Sequence, residues 1–169
     1  MWILYWSNST KKKYKIIGIL DPYINKDHKY GFKIYNSDKE LKKIFKVVNF
    51  ALITIGLTKR RDITLRNNYF KLLKKIGFKL PTIISSTAYK SNDANIGEGT
   101  ILFNKTFVNK GVNIGTNCII NTGSIIEHGT FVGNNTHIST GAIVNGSCKI
   151  GDNCFVGSGS VIPQNMELK

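Results

Sequence analysis

Cysteine is nearly missing from this chain, with only Cys118, Cys148 and Cys154 among 169 residues. A small odd count, with no signal peptide to route the chain into an oxidising compartment, excludes a disulfide framework and leaves three reduced thiols. Long apolar runs are missing too. The opening "MWILYW" is too short for a signal-peptide core or a membrane span, so a cytoplasmic protein with no membrane partner is expected. Acidic residues are scarce, 10 Asp and Glu against 24 Lys and Arg. The imbalance lies wholly in residues 1–90, with 20 basic against 5 acidic residues, while residues 91–169 hold 4 against 5. A basic front half attracts polyanions. However, "KKKYK" and "KLLKKIG" carry no nucleic-acid motif, and Lys, Asn and Ile are abundant throughout, so nucleic acid is not expected as a partner. Histidine is rare as well. His28 sits in the polar loop "NKDHKYG" and reads as a surface residue, whereas His128 and His137 both fall inside "IIEHGTFVGNNTHISTGA".

That stretch fits neither a period of two nor one of 3.6. A period of six does fit. Every sixth residue from Ile96 is aliphatic: Ile96, Leu102, Val108, Ile114, Ile120, Ile126, Val132, Ile138, Val144, Ile150, Val156 and Ile162. Four residues after each of the first eleven comes a small side chain, from Thr100 and Thr106 through Cys118, Ser124 and Ala142 to Cys154 and Ser160. Glycine often follows the aliphatic position, at 97, 115, 133, 151 and 157, where a tight corner is expected to need its backbone freedom. The pattern is a hexapeptide β-helix repeat, and self-similarity at a fixed period outranks any local reading.

The region before the repeat reads as a small α/β unit. "YKIIGILD" is a buried strand ending at Asp21. "SDKELKKIF" opens a helix capped by Ser37, with Glu40 completing a capping box, and "NFALITIG" is a second buried strand. "RRDITLRNNYFKLLKKIGF" is a helix with Leu65, Tyr69, Leu72 and Leu73 on one face, closing at Gly77. Alternating strands and helices predict a parallel sheet with ligands beyond the carboxyl ends of its strands, where Asp21 and Gly56 lie. The expected organisation is a small α/β domain with a parallel sheet over residues 1–88, then a parallel β-helix over 89–169.

The order "GILD", "ITIG" with Arg60 and Arg61, "TIIS", then "IIEH" within hexapeptide repeats resembles the sugar O-/N-acetyltransferases of the sialic-acid and bacillosamine pathways. The resemblance is most specific over "NTGSIIEHGTFVGNNTHISTGA". It implies a truncated Rossmann-like domain over residues 1–88 before a left-handed parallel β-helix over 89–169, three hexads per coil, a homotrimer, and acetyl transfer from acetyl-CoA to the amine of a nucleotide sugar of the UDP-4-amino-4,6-dideoxysugar type. No metal is implied. The resemblance makes His128 the general base and places His137 and Ser158 against acetyl-CoA. Imidazole suits the first role because its ordinary pKa lies near the operating pH. Coil arithmetic adds that Gly146 lies one 18-residue turn beyond His128, where its N–H could stabilise an oxyanion, and the resemblance assigns Gly146 the same role. Glu127, alternating with His128 along an extended chain, is left open as the orienter of the imidazole. A separation of nine residues is half a coil, which puts the two histidines ~15 Å apart on different parts of the prism. One acetyl-CoA site would then draw them from neighbouring subunits.

Three differences from the family pattern stand out. "MWILYW" occupies the place of a glycine-rich phosphate loop, Gly129 stands where many members carry Asp or Glu, and the repeat is short by about one coil. They keep a second reading open, a truncated inactive paralogue serving as a trimeric scaffold, beside sialic-acid-type O-acetylation.

Overall fold

The computed structural model describes residues 3–9, 12–22, 28–29, 31–56 and 60–169, with the backbone alone for 3–9, 12–15, 28–29 and 60–61. The side chains of His28, Arg60 and Arg61 lie outside the described residues. Two units divide the chain, Met1–Pro81 and Thr82–Lys169.

In the first unit the strands are β1 (Ile3–Ser9), β2 (Lys12–Leu20), β3 (His28–Lys29), β4 (Phe32–Tyr35) and β5 (Phe50–Ile53), in the sheet order β3-β4-β2-β1-β5. This sheet is mixed, which corrects the expected parallel one. β2 and β4 pair in parallel, whereas β1 is antiparallel to both of its neighbours, β2 and β5. The physical reason is the short connection after β1: Ser9 is already opposite Lys12, and only antiparallel strands can be joined so tightly. A 3₁₀ turn (Asp38–Glu40) leads into α1 (Leu41–Phe45), and α2 spans Arg60–Ile76. Ser37 caps as expected, its Oγ accepting from Lys39 N at 3.3 Å, while Glu40 becomes the N-cap of α1 without a side-chain cap bond. Gly77 closes α2 at φ +110°, with its N–H reaching Leu73 O at 3.1 Å and Phe78 N–H reaching the same carbonyl at 3.0 Å. Leu73 and Tyr69 are buried against Leu20, Leu41, Ile53, Phe78 and Leu80. Among the described residues no helix is long and apolar enough to cross a membrane.

The second unit is a parallel β-helix of three five-stranded sheets. The first face carries Ile83–Ile84, Ile101–Leu102, Ile119–Ile120, His137–Ile138 and Phe155–Val156. The second runs from Tyr89–Lys90 to Val161–Ile162, and the third from Asn95–Ile96 to Glu167–Leu168. Each strand pairs with the one a full coil away, as Ile119 with Ile101 and His137. Inward aliphatics and small residues form one stacked core, with Val108, Ile120, Ile126, Val132, Cys118, Ser124 and Ala142 fully buried. Cys118 and Cys148 are buried thiols outside any disulfide.

Three features differ from expectation. The coil begins at Thr82, so the boundary at 88/89 falls one strand inside it, and it runs on to Leu168. Its start is hidden because Lys90 occupies an inward aliphatic slot, and its ammonium donates to Ser91 O at 2.6 Å and Ala94 O at 2.7 Å. Glycines 97, 115 and 133 answer close stacking of successive corners rather than backbone freedom: a Cβ on Gly97 would lie 2.5 Å from the carbonyl of Gly115. The left-handed conformation falls two residues later, at every sixth residue from Gly99 through Lys105, Gly111 and Asn117 to Asn165.

Candidate active site

Corner residues are held by strands that the core fixes on both sides. The corner between the second and third faces follows Ile126, and Glu127, His128 and Gly129 make it, Gly129 taking the left-handed position at φ +66°. One coil on, Asn145, Gly146 and Ser147 stack over them, with Ser147 N–H donating to His128 O at 2.9 Å. The imidazole lies across Gly146. A Cβ there would sit 2.7 Å from both Cε1 and Nε2 of His128 and 3.2 Å from Nδ1.

At the same step of some other corners a side-chain oxygen caps the N–H, Asn109 Oδ1 accepting from Lys110 N at 2.7 Å and Asn121 Oδ1 from Thr122 N at 2.8 Å. Asn145 instead turns its Nδ2 to Ile162 O at 2.8 Å. No acceptor among the described residues takes the Gly146 N–H. A basic nitrogen and an open amide donor therefore lie side by side.

Glu127 does not alternate away from His128, because both sit in the corner and not in a strand. Its Oε2 is 3.6 Å from His128 Nδ1, and the same oxygen accepts from Asn109 Nδ2 at 2.6 Å. The imidazole is half exposed and the carboxylate less so. Farther down this corner Asp93 accepts from Ser91 Oγ at 2.6 Å and from Gly111 N at 3.1 Å. The Ser91 hydroxyl above all, joined by backbone N–H groups and nearby Lys110, holds its carboxyl below the ordinary value against the opposing effect of desolvation.

His137 and Ser158 belong to the first face and the corner after it. His137 is buried at 5% exposure, with Nε2 3.2 Å from Asn121 Nδ2 and its ring edge-on to Phe155 at 5.0 Å between centroids. Exposed Ser158 has its Oγ 2.8 Å from Ser139 Oγ. Thus His128, Glu127 and Gly146 come together on one corner, and His137 and Ser158 belong to another face and corner.

Asp21 and Gly56 follow β2 and β5 at the same edge of the first unit's sheet. Asp21 is buried and its N–H donates to Tyr35 O at 2.9 Å, whereas Gly56 is exposed with open space around it. They are not neighbours. β1 runs between their strands in the opposite direction, Leu4 opposite Ile19 and Ile3 opposite Ile53, so its amino end occupies that edge. Arg66, buried within α2, caps the end of β5 by donating from Nη1 to Ile53 O at 2.5 Å and Ile55 O at 3.3 Å. Sequence reading missed Arg66, as well as Asn109, Asn121 and Ser139. Asn109 was accessible by subtracting one coil from Glu127, while nothing in the sequence marks Arg66. Among the described residues no group of three or more His, Cys, Asp or Glu could hold a metal.

The family model of the bacterial transferase hexapeptide, six repeats, matches residues 129–164. No curated protein matches the chain. Among solved structures, PerB from Caulobacter crescentus in complex with CoA and GDP-perosamine superposes with a TM-score of 0.68 at 23% identity, over 85% of this chain and 76% of that one. The acetyltransferase domain of PglB from Neisseria gonorrhoeae with acetyl coenzyme A gives 0.67 at 24%, over 92% and 83%. A second structure of that domain gives 0.65 at 21%, over 92% and 84%. These likenesses establish the architecture, a short α/β unit followed by a left-handed β-helix of hexapeptide repeats.

Proposed function

We propose that this chain transfers an acetyl group from acetyl-CoA to the amine of a nucleotide-linked amino sugar, with His128 as general base and a homotrimer as the working form. The observation that carries this reading is the imidazole lying across Gly146 beside an amide with no acceptor. Acetyl transfer to nitrogen needs two groups in proximity: a base for the ammonium proton and a donor for the oxyanion. His128 Nε2 takes the proton, and the Gly146 N–H stabilises charge on the carbonyl oxygen, an effect of ~3 kcal/mol for one donor. The ammonium proton passes from His128 to solvent; as the nitrogen–carbon bond forms and the carbon–sulfur bond breaks, His128 takes the second proton from the nitrogen and gives it to the departing thiolate. His137 and Ser158 would contact acetyl-CoA from a neighbouring subunit, since within one chain they lie at another corner. Support comes from the fold neighbours, one bound to CoA and GDP-perosamine and another to acetyl coenzyme A.

Asp21 and Gly56 would contact the nucleotide sugar, of the UDP-4-amino-4,6-dideoxysugar type. One observation favours the scaffold reading: β1 is antiparallel and occupies the edge between them. A thiol-release assay of wild type and His128→Ala against UDP- and GDP-linked amino sugars, with sialic acid as the hydroxyl acceptor, decides among the readings. The expected result is amine acetylation that falls ~10²- to 10⁴-fold in His128→Ala, with calorimetric acetyl-CoA binding nearly intact. Unchanged turnover in the variant removes His128 as base. A wild-type protein that acetylates nothing while trimerising is the scaffold.

A further inference from the structure

We infer that Asn109, one coil before Glu127, is a positioning residue that sets the tautomer of His128. This inference rests on the general-base reading above but concerns a group that reading does not use. Asn109 has its own amide fixed: Oδ1 accepts from Lys110 N at 2.7 Å, which leaves Nδ2 as the donor toward the next coil. There it meets Glu127 Oε2 at 2.6 Å, and this same oxygen lies 3.6 Å from His128 Nδ1. A carboxylate accepts only, and at 3.6 Å its charge, rather than a formed hydrogen bond, favours the proton on the ring nitrogen that faces it. Nε2 is then the unprotonated nitrogen, and it is the one beside Gly146. Without the Asn109 donor, Glu127 is a partly exposed side chain free to leave its rotamer for solvent, and either ring nitrogen can then hold the proton. The arrangement works because the parallel register aligns the corners of residues 109 and 127, Phe107 standing beside Ile125 and Val108 beside Ile126.

The test is a spectroscopic reading of the imidazole tautomer, by two-bond proton–nitrogen correlations on ¹⁵N-histidine protein at an alkaline pH where free imidazole is neutral. It needs no substrate. Wild type is expected to show mainly Nδ1–H, and Asn109→Ala and Glu127→Gln each mainly Nε2–H. The double variant should match Glu127→Gln alone, because Asn109 acts through Glu127. Turnover of Asn109→Ala should fall on the order of 10-fold with KM for acetyl-CoA unchanged, as when an orienting partner is lost. The same tautomer in wild type and Asn109→Ala overturns the inference, as does a double variant that loses the sum of both effects. A shifted tautomer alongside full turnover in His128→Ala supports the inference and removes the general-base reading instead.

Discussion

At position 146 any side chain must displace the imidazole of His128, because a Cβ would lie 2.7 Å from two of its ring atoms. The obstructing group is the end of a half-exposed side chain rather than backbone, so the ring can swing outward at little cost to the fold. Gly146→Ala is therefore expected to separate two properties that usually fall together. Turnover should drop ~10²-fold, on the scale of losing a base or one oxyanion donor, while the melting temperature shifts by no more than about 2 °C. Acetylation assays beside a thermal melt measure both. A variant that keeps wild-type turnover would show that the contact between ring and backbone has no part in the chemistry. Gly129 has a different reason to be small: it is in the left-handed region, with only Ser147 Oγ at 3.6 Å near a Cβ.

At the scale of the element, two classes of corner glycine make opposite demands on the coil. Gly133 belongs to the corner between the third and first faces, where a Cβ would lie 2.5 Å from Asp152 Oδ1 and 2.6 Å from both Asp152 N and Gly151 C. The neighbouring backbone is pinned by hydrogen bonds between coils and cannot yield. Gly141 has φ +66° and nothing within 4 Å of a Cβ, so an alanine there meets only its own backbone preference. Gly133→Ala should cost about 3 kcal/mol or more and Gly141→Ala about 1 to 2 kcal/mol. Urea unfolding of the two variants checks the ranking. The reverse order would mean that corner conformation, rather than corner stacking, limits these coils. Asn117, Asn135, Asn153 and Asn165 take the same left-handed conformation as Gly141, which accords with the tolerance of asparagine for that region.

At the scale of the molecule, the outer faces of the β-helix differ in character. The second face presents Tyr89, Phe107, Ile125, Ile143 and Val161 outward, with Tyr89 and Phe107 stacked at 4.8 Å and Val161 59% exposed. The third presents Asn95, Asn113, Phe131, Lys149 and Glu167. An apolar column of that length is unfavourable against water, and covering it by a second copy is the arrangement expected of the proposed trimer. Sedimentation equilibrium at micromolar concentration should give three times the 18.9 kDa chain mass. A stable monomer would remove both the trimer and the shared site, because the corner carrying His137 and Ser158 could then not meet the corner carrying His128.

How much was legible beforehand follows from the range of the forces involved. The period of six, its inward residues, the cysteines in the core, and the stacking of residue 146 over residue 128 are all consequences of a regular repeat, in which sequence separation is spatial position. So are α2 and its closure at Gly77, where local hydrogen bonding decides the outcome. The residues misjudged are those whose environment depends on partners a coil or more away. Lys90 stands where the repeat places an aliphatic residue, and its ammonium finds two carbonyls. Glu127 is left open by the sequence, and only the corner turns it toward His128, with Asn109 holding the carboxylate from the coil before. The direction of β1 could not be taken from its composition, since an apolar run is equally suited to either pairing. The tight connection to β2 decided it, and with it what stands between Asp21 and Gly56.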